Sequence, residues 1–141
     1  MSLSELLKKD MVRKTNPDKE KATKLLKISE RDLKAAADNL KDENYDWALA
    51  IAYNAMLSAG NAFMAVNGYR TTSEAHHLAV VQYCAAVLPK EAAVLAHTFN
   101  RYRVRRHDAV YGEAESVGKD ESIKALENAK KVVEAIRDKL S

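Results

Sequence analysis

The sequence predicts an all-α protein, an up-and-down bundle of four to five helices. Alanine is abundant while β-branched and aromatic residues are sparse, a balance that favours helix over strand. Only four glycines and two prolines interrupt 141 residues, which leaves little room for long loops. Apolar residues recur at helical spacing, and no strand pattern, internal repeat or low-complexity tract is evident. At this length one domain is expected, and an apolar fraction of 47% suffices for a core. Residues 1–15 read as a short N-terminal amphipathic segment and 16–141 as the helical bundle.

The N-terminal segment places Leu3, Leu6, Leu7 and Met11 on one helical side. "KTNPDKE" interrupts it. Asn16 suits an N-cap, Pro17 the first helical position, and Asp18 and Glu20 the positive helix end. The helix that follows runs to about Leu40 on an apolar side that includes Leu25, Leu26, Leu33 and Ala36. "KDENYD" breaks the pattern and offers a new cap at Asp42 or Asn44. The next helix, about Asp46 to Asn67, is apolar nearly all round, which marks it as central. Its Asn54, Ser58 and Asn61 form one polar stripe, expected to be buried and hydrogen-bonded.

Asn67-Gly68 supplies a left-handed cap, and Thr71-x-x-Glu74 has the form of a capping box for the third helix. Pro89 marks the boundary before a fourth helix. "YGEAESVGKDES" is the longest polar loop, and the last helix starts near Asp120 with Ile123, Leu126, Val133, Ile136 and Leu140 as its stripe.

Several chemistries lack their residues. No two glycines are spaced for a phosphate loop. No metal site is expected, because His76 and His77 are adjacent and point about 100° apart on a helix. His76 and His77 read as a surface and an interface residue, His97 as structural, and Ser58 has no evident triad partner. No paired carboxylates or cofactor motif are suggested. Cys84, the lone cysteine, sits in an apolar run and reads as a buried small hydrophobe. The first residues lack the apolar core of a signal peptide. Residues 47–66 have membrane length but read as a buried helix, so a cytoplasmic protein with no membrane partner is expected.

The exception is "FNRYRVRRHDAVYG", residues 99–112, where Arg101, Arg103, Arg105, Arg106 and His107 fall within seven positions. Like charges this dense repel, and an anion or carboxylates from another element relieve that repulsion. Arginine also grips phosphate bidentately. The competing reading is a solvated basic face whose stems cover the core.

"NYDWALAIAYNAMLSAGNAFMAVNGYRTTSEAHH" and "RHDAVYG", in this order and spacing, resemble the HEPN domain family (higher eukaryotes and prokaryotes nucleotide-binding), in its small stand-alone prokaryotic branch. The resemblance implies a helical bundle, commonly a homodimer, binding RNA or nucleotide. In the family's active members an Arg-x4–6-His motif supports metal-independent RNA cleavage, and many are toxins paired with a nucleotidyltransferase antitoxin. Here "RHDAVYG" puts Arg106 at the arginine position, Tyr111 at the histidine position and His107 beside the arginine. Arg101-x5-His107 is a second register, and both stay open. Histidine with a pKa of about 6.5 suits a base, whereas tyrosine near 10 stays protonated at neutral pH. Arg106, His107 and Tyr111 are thus the candidate catalytic residues, and Arg101, Arg103, Arg105 and Arg106 the candidate phosphate ligands. The alternative is a non-catalytic interaction module with a structural basic face.

Overall fold

The computed structural model describes residues 1–72, 76–112 and 116–140. Six helices and one small sheet follow in chain order: α1 (Leu3–Lys8), β1 (Val12–Lys14), α2 (Lys19–Lys41), α3 (Tyr45–Asn67), β2 (Tyr69–Thr71), α4 (His76–Val87), α5 (Lys90–Tyr111) and α6 (Lys119–Leu140). The protein is an all-α bundle, as its composition predicts. α3 lies at the centre and packs against α2, α4, α5 and α6. The physical reason is its sequence. Ala48, Ala52, Ala55, Ala59 and Ala62 are all fully buried, and such small side chains let neighbouring backbones approach. α3 is long and apolar enough to cross a membrane, but about two-thirds of that stretch is buried inside the bundle.

Closest approach comes at Gly60. A Cβ there would stand 2.5 Å from Val80 Cγ1 and 3.3 Å from Cys84 Sγ, both on α4. Cys84 is buried, as expected, and burial pushes its thiol up to about 12, so it remains an inert thiol. Gly68 ends α3 in the left-handed conformation (φ 80°), with its N–H donating to the Ala65 carbonyl.

Three local expectations need correction. α2 starts later than Asn16 and Pro17 suggested. Asp18 is the cap, accepting from the Lys21 N–H at 2.9 Å. The reason is tertiary: Thr15 donates to the Gly68 carbonyl and Asp18 to that of Ala65, which holds residues 15–18 extended against the end of α3. A two-stranded antiparallel sheet also exists, with Val12 opposite Thr71, Arg13 opposite Arg70 and Lys14 opposite Tyr69. Three residues per strand are too few for a period-2 signal. Thr71 therefore lies in a strand, its hydroxyl hydrogen-bonded with His76 Nδ1, while Glu74 of the expected capping box lies outside the described residues.

The polar stripe on α3 is the third. Asn54 is half-buried and its side chain makes no hydrogen bond among the described residues, while Asn61 donates back to the Leu57 carbonyl at 3.1 Å. The buried polar contact between α2 and α3 comes instead from Ser29, whose hydroxyl donates to the Ala55 carbonyl at 2.7 Å. The N-terminal segment joins the common core through Leu6 and Val12.

Candidate phosphate-facing site

α5 carries the basic cluster, and its helical phase sorts the arginines. Phe99 and Tyr102 are buried on its inner side. Arg106 follows them by seven and four residues, so it too points inward. Its guanidinium carbon lies 5.8 Å from the centre of the Tyr53 ring on α3, and its Nε is buried with no hydrogen-bond partner among the described residues. Tyr53 is fully buried, and its hydroxyl is likewise unpartnered. A buried donor without a partner costs about 1–3 kcal/mol. Gln82 Oε1 is likewise buried without a partner among the described residues, but Arg106 and Tyr53 carry such atoms on two side chains in contact with each other.

Tyr53 is the wall that the site shares. Phe99 stacks on it at 5.5 Å between ring centres, and His77, on the first turn of α4, lies 5.8 Å away. Burial pushes the Tyr53 hydroxyl up to about 12, against the pull of Arg103 and Arg106, so it stays protonated as a donor. His77 moves the other way. Burial first, then Arg106, His76 and Arg103, hold its pKa below the ordinary value, so the ring is neutral at pH 7. Arg103, half-buried, donates from Nε to the Asn100 side chain at 3.1 Å. One patch between α3, α4 and α5 thus collects two guanidinium groups, an imidazole and a phenol.

The other candidate residues separate from it. Arg105 turns towards α6, where Nε and Nη2 donate to the two Glu121 carboxylate oxygens at 2.7 and 2.8 Å. It also donates to Asp108 and to the Ser116 carbonyl, and the Glu121 hydrogen bonds raise its pKa further. Its fork is occupied, as carboxylates from another element relieve the crowding of charge. Arg105→Ala should lower stability by about 1–2 kcal/mol, discounted for a partly solvated pair, in a denaturant melt. His107 is the residue after Arg106 and is turned about 100° from it. Its exposed ring packs edge-on against Tyr111, 5.3 Å between centres, and Tyr111 is 73% exposed. Arg101 is exposed as well. Arg106 and Tyr111 are five residues apart and Arg101 and His107 six, so each pair diverges by more than 100° around α5.

A family model for the HEPN domain matches residues 22–139. The chain belongs to the HEPN family. The crystal structure of TT1696 from Thermus thermophilus is similar to this HEPN chain with a TM-score of 0.67, at 19% identity, over 84% of this chain and 98% of that one. That likeness shows the fold. No curated protein matches the sequence. HEPN domains often dimerise and bind nucleotides or RNA.

Tyr53 and His77 escaped the sequence reading. Positions 53, 77 and 106 share no local spacing, and Tyr53 sits in a run whose apolar character predicts core. The one available hint was a bulky aromatic with a polar tip in an otherwise alanine-rich helix. Among the described residues, no group of three or more histidine, cysteine or acidic side chains is placed to hold a metal ion.

Proposed function

We propose that this HEPN protein binds RNA through its phosphates, with Arg106 as the principal cation, Arg103 beside it and the Tyr53 hydroxyl as a neutral donor. The observation that carries this reading is the pair of buried, unpartnered donors, Arg106 Nε and Tyr53 Oη, converging on one patch. A phosphate oxygen is the kind of acceptor that each lacks, and the guanidinium has to swing off the Tyr53 ring to admit it. Arg101 adds long-range attraction, and Arg105 serves α6. Binding is tested by fluorescence anisotropy with a labelled single-stranded RNA over a salt series. Affinity falls steeply with salt if phosphates carry it. An affinity indifferent to salt, or no binding at low salt, defeats the reading.

Two predictions arise from the same patch. Tyr53→Phe removes a buried hydroxyl that has no partner, so it should raise stability by about 1 kcal/mol while weakening RNA binding. Thermal melts and anisotropy on the same samples check both signs. Second, His77 is held neutral by the fold, so stability is full above its ordinary pKa of 6.5 and declines as pH falls below it, when the unfolded chain takes up a proton more readily. A bound phosphate favours the imidazolium, so RNA affinity should rise over the same fall in pH, and His77→Asn should flatten that rise.

Cleavage, if the bound RNA is a substrate, calls for a base. Tyr111 lies on the solvent side of α5 in a surface line with Val94, His97, Arg101, Val104 and Asp108, alternating three and four residues apart, and exposed His107 flanks that line beside Asp108. Val94 and Val104 are exposed on it. Such a line fits a helix of a second copy. A homodimer joined along α5 is therefore part of the proposal, with His107 and Tyr111 at its seam. Sedimentation of Val104→Glu against the parent protein tests it: the variant runs as monomer if the line is the interface. Toxin activity and a nucleotidyltransferase partner are the finer family-based proposals, and co-purification with such an enzyme tests the pairing.

A further inference from the structure

A second basic recess lies between α2, the end of α3, β2 and the first turn of α4. Its volume is about 340 Å³, within the range of small-ligand sites. Lys21, Arg70 and His76 line it beside Thr71 and the apolar Met64, and no acidic side chain is among its described lining residues. The nearby carboxylates are committed elsewhere. Asp10 takes the Arg13 guanidinium on both oxygens, at 2.7 and 2.6 Å. Asp18 accepts the Lys21 backbone N–H, and Glu20 pairs with Lys24 at 3.4 Å. The side chains of Lys21 and Arg70 make no ion pair among the described residues.

The sheet register adds to this. Arg13 stands directly opposite Arg70, and like charges so placed repel. Asp10 answers Arg13, whose hydrogen bonds hold its carboxyl below the usual range, and Arg70 adds only a weaker pull through space. Arg70 thus keeps an uncompensated charge at the rim. His76 is oriented by the hydrogen bond between its Nδ1 and the Thr71 hydroxyl, which leaves Nε2 as the ring nitrogen for a ligand.

The recess meets the Arg106 patch at the start of α4. His76 lies on the recess and His77 on the patch, with their rings 5.7 Å apart. His77 is in turn 5.8 Å from Tyr53, the ring under Arg106. Cationic groups therefore follow one another from α5, across the first turn of α4, to β2 and α2. RNA brings a charge at every linkage, so a strand held at one phosphate gains by setting another on a second group of cations.

We infer that Lys21, Arg70 and His76 hold a second phosphate of the RNA strand that meets Arg106. This rests on the RNA-binding reading and extends it to a track over two sites. Inorganic phosphate should move the imidazole proton signals of His76, assigned by their loss in His76→Gln, where sodium chloride of equal ionic strength does not. The response should persist in Arg106→Ala and disappear in Lys21→Ala and Arg70→Ala. With single-stranded RNA, Lys21→Ala and Arg70→Ala should each lower affinity about 3- to 5-fold at low salt, as for an exposed charge contact. Each should also reduce the slope of log affinity against log salt by about 0.7, the contribution of one phosphate on a single strand. Lys131→Ala, an exposed cation on α6 outside the recess, should leave that slope unchanged. Lys21 and Arg70 are exposed, so their variants should fold, and Arg70→Gln repeats the test if Arg70→Ala melts early. Full RNA affinity and an unchanged slope in Lys21→Ala and Arg70→Ala overturn the track and leave the reading at Arg106 standing. Equal losses in Lys131→Ala mean a general basic surface and overturn it too. A phosphate response at His76 in a protein that binds no RNA defeats the RNA-binding reading and the track with it, and leaves an anion site alone.

Discussion

Arg106→Ala should lower the affinity for single-stranded RNA by about 10- to 100-fold at low salt. A charge-assisted bond to phosphate is worth about 1.5–3 kcal/mol, and this side chain is set where solvent competes least. Its cost to the fold is small, because the buried Nε gives up no hydrogen bond and only the contact with the Tyr53 ring is lost. Arg105→Ala should show the reverse pattern: a clear loss of stability through Glu121 and a drop in affinity of less than about 3-fold. Arg101→Ala should act through net charge alone. Anisotropy and thermal melts of the three variants decide the matter. Equal losses of affinity from all three would mean a diffuse basic face with no site.

Gly60→Val should be the most destabilising single change away from that patch, by about 3 kcal/mol, a fall in melting temperature of roughly 10 °C. The first added carbon already collides with Val80 at 2.5 Å, and the branch drives the rest into Cys84. Relief requires α4 to move away from α3, and α4 carries His77. Gly60→Ala should cost less, since the better helix propensity of alanine returns up to about 1 kcal/mol. A valine variant that melts like the parent protein would show that α4 repacks freely.

How much of this was legible in the sequence depends on the range over which each residue acts. Helices α2, α3, α5 and α6 announce themselves through apolar spacing, Gly68 through its place after the run, and Pro89 through its effect on the residue before it. These are local causes. The start of α2 was misplaced because Asn16 and Pro17 satisfy a local rule that the pairing of Thr15 and Asp18 with the end of α3 overrides. The basic cluster could be found from composition, but its sorting could not. Which arginine meets Glu121 and which meets Tyr53 follows from the angle at which α5 lies on α6 and α3. His77 could be read as an interface residue but not placed against Tyr53 and Arg106, because the groups that shift its pKa come from other helices as well as its own.

The small sheet has a consequence for the order in which the molecule assembles. Most contacts in a bundle of this kind join helices adjacent in the chain, and these form fast. The ladder that sets Lys14 opposite Tyr69 is different, because the whole of α2 and α3 intervenes and closing that loop gains only three paired residues. It closes late, after the α2–α3 hairpin has brought its ends together, and it is the first element to reopen. Amide exchange should therefore be faster at residues 12–14 and 69–71 than along the middle of α3, although Val12 itself is buried. The bond from Thr15 to the Gly68 carbonyl borders the same ladder, so each opening of this clasp also loosens the hold of the end of α3 on the start of α2.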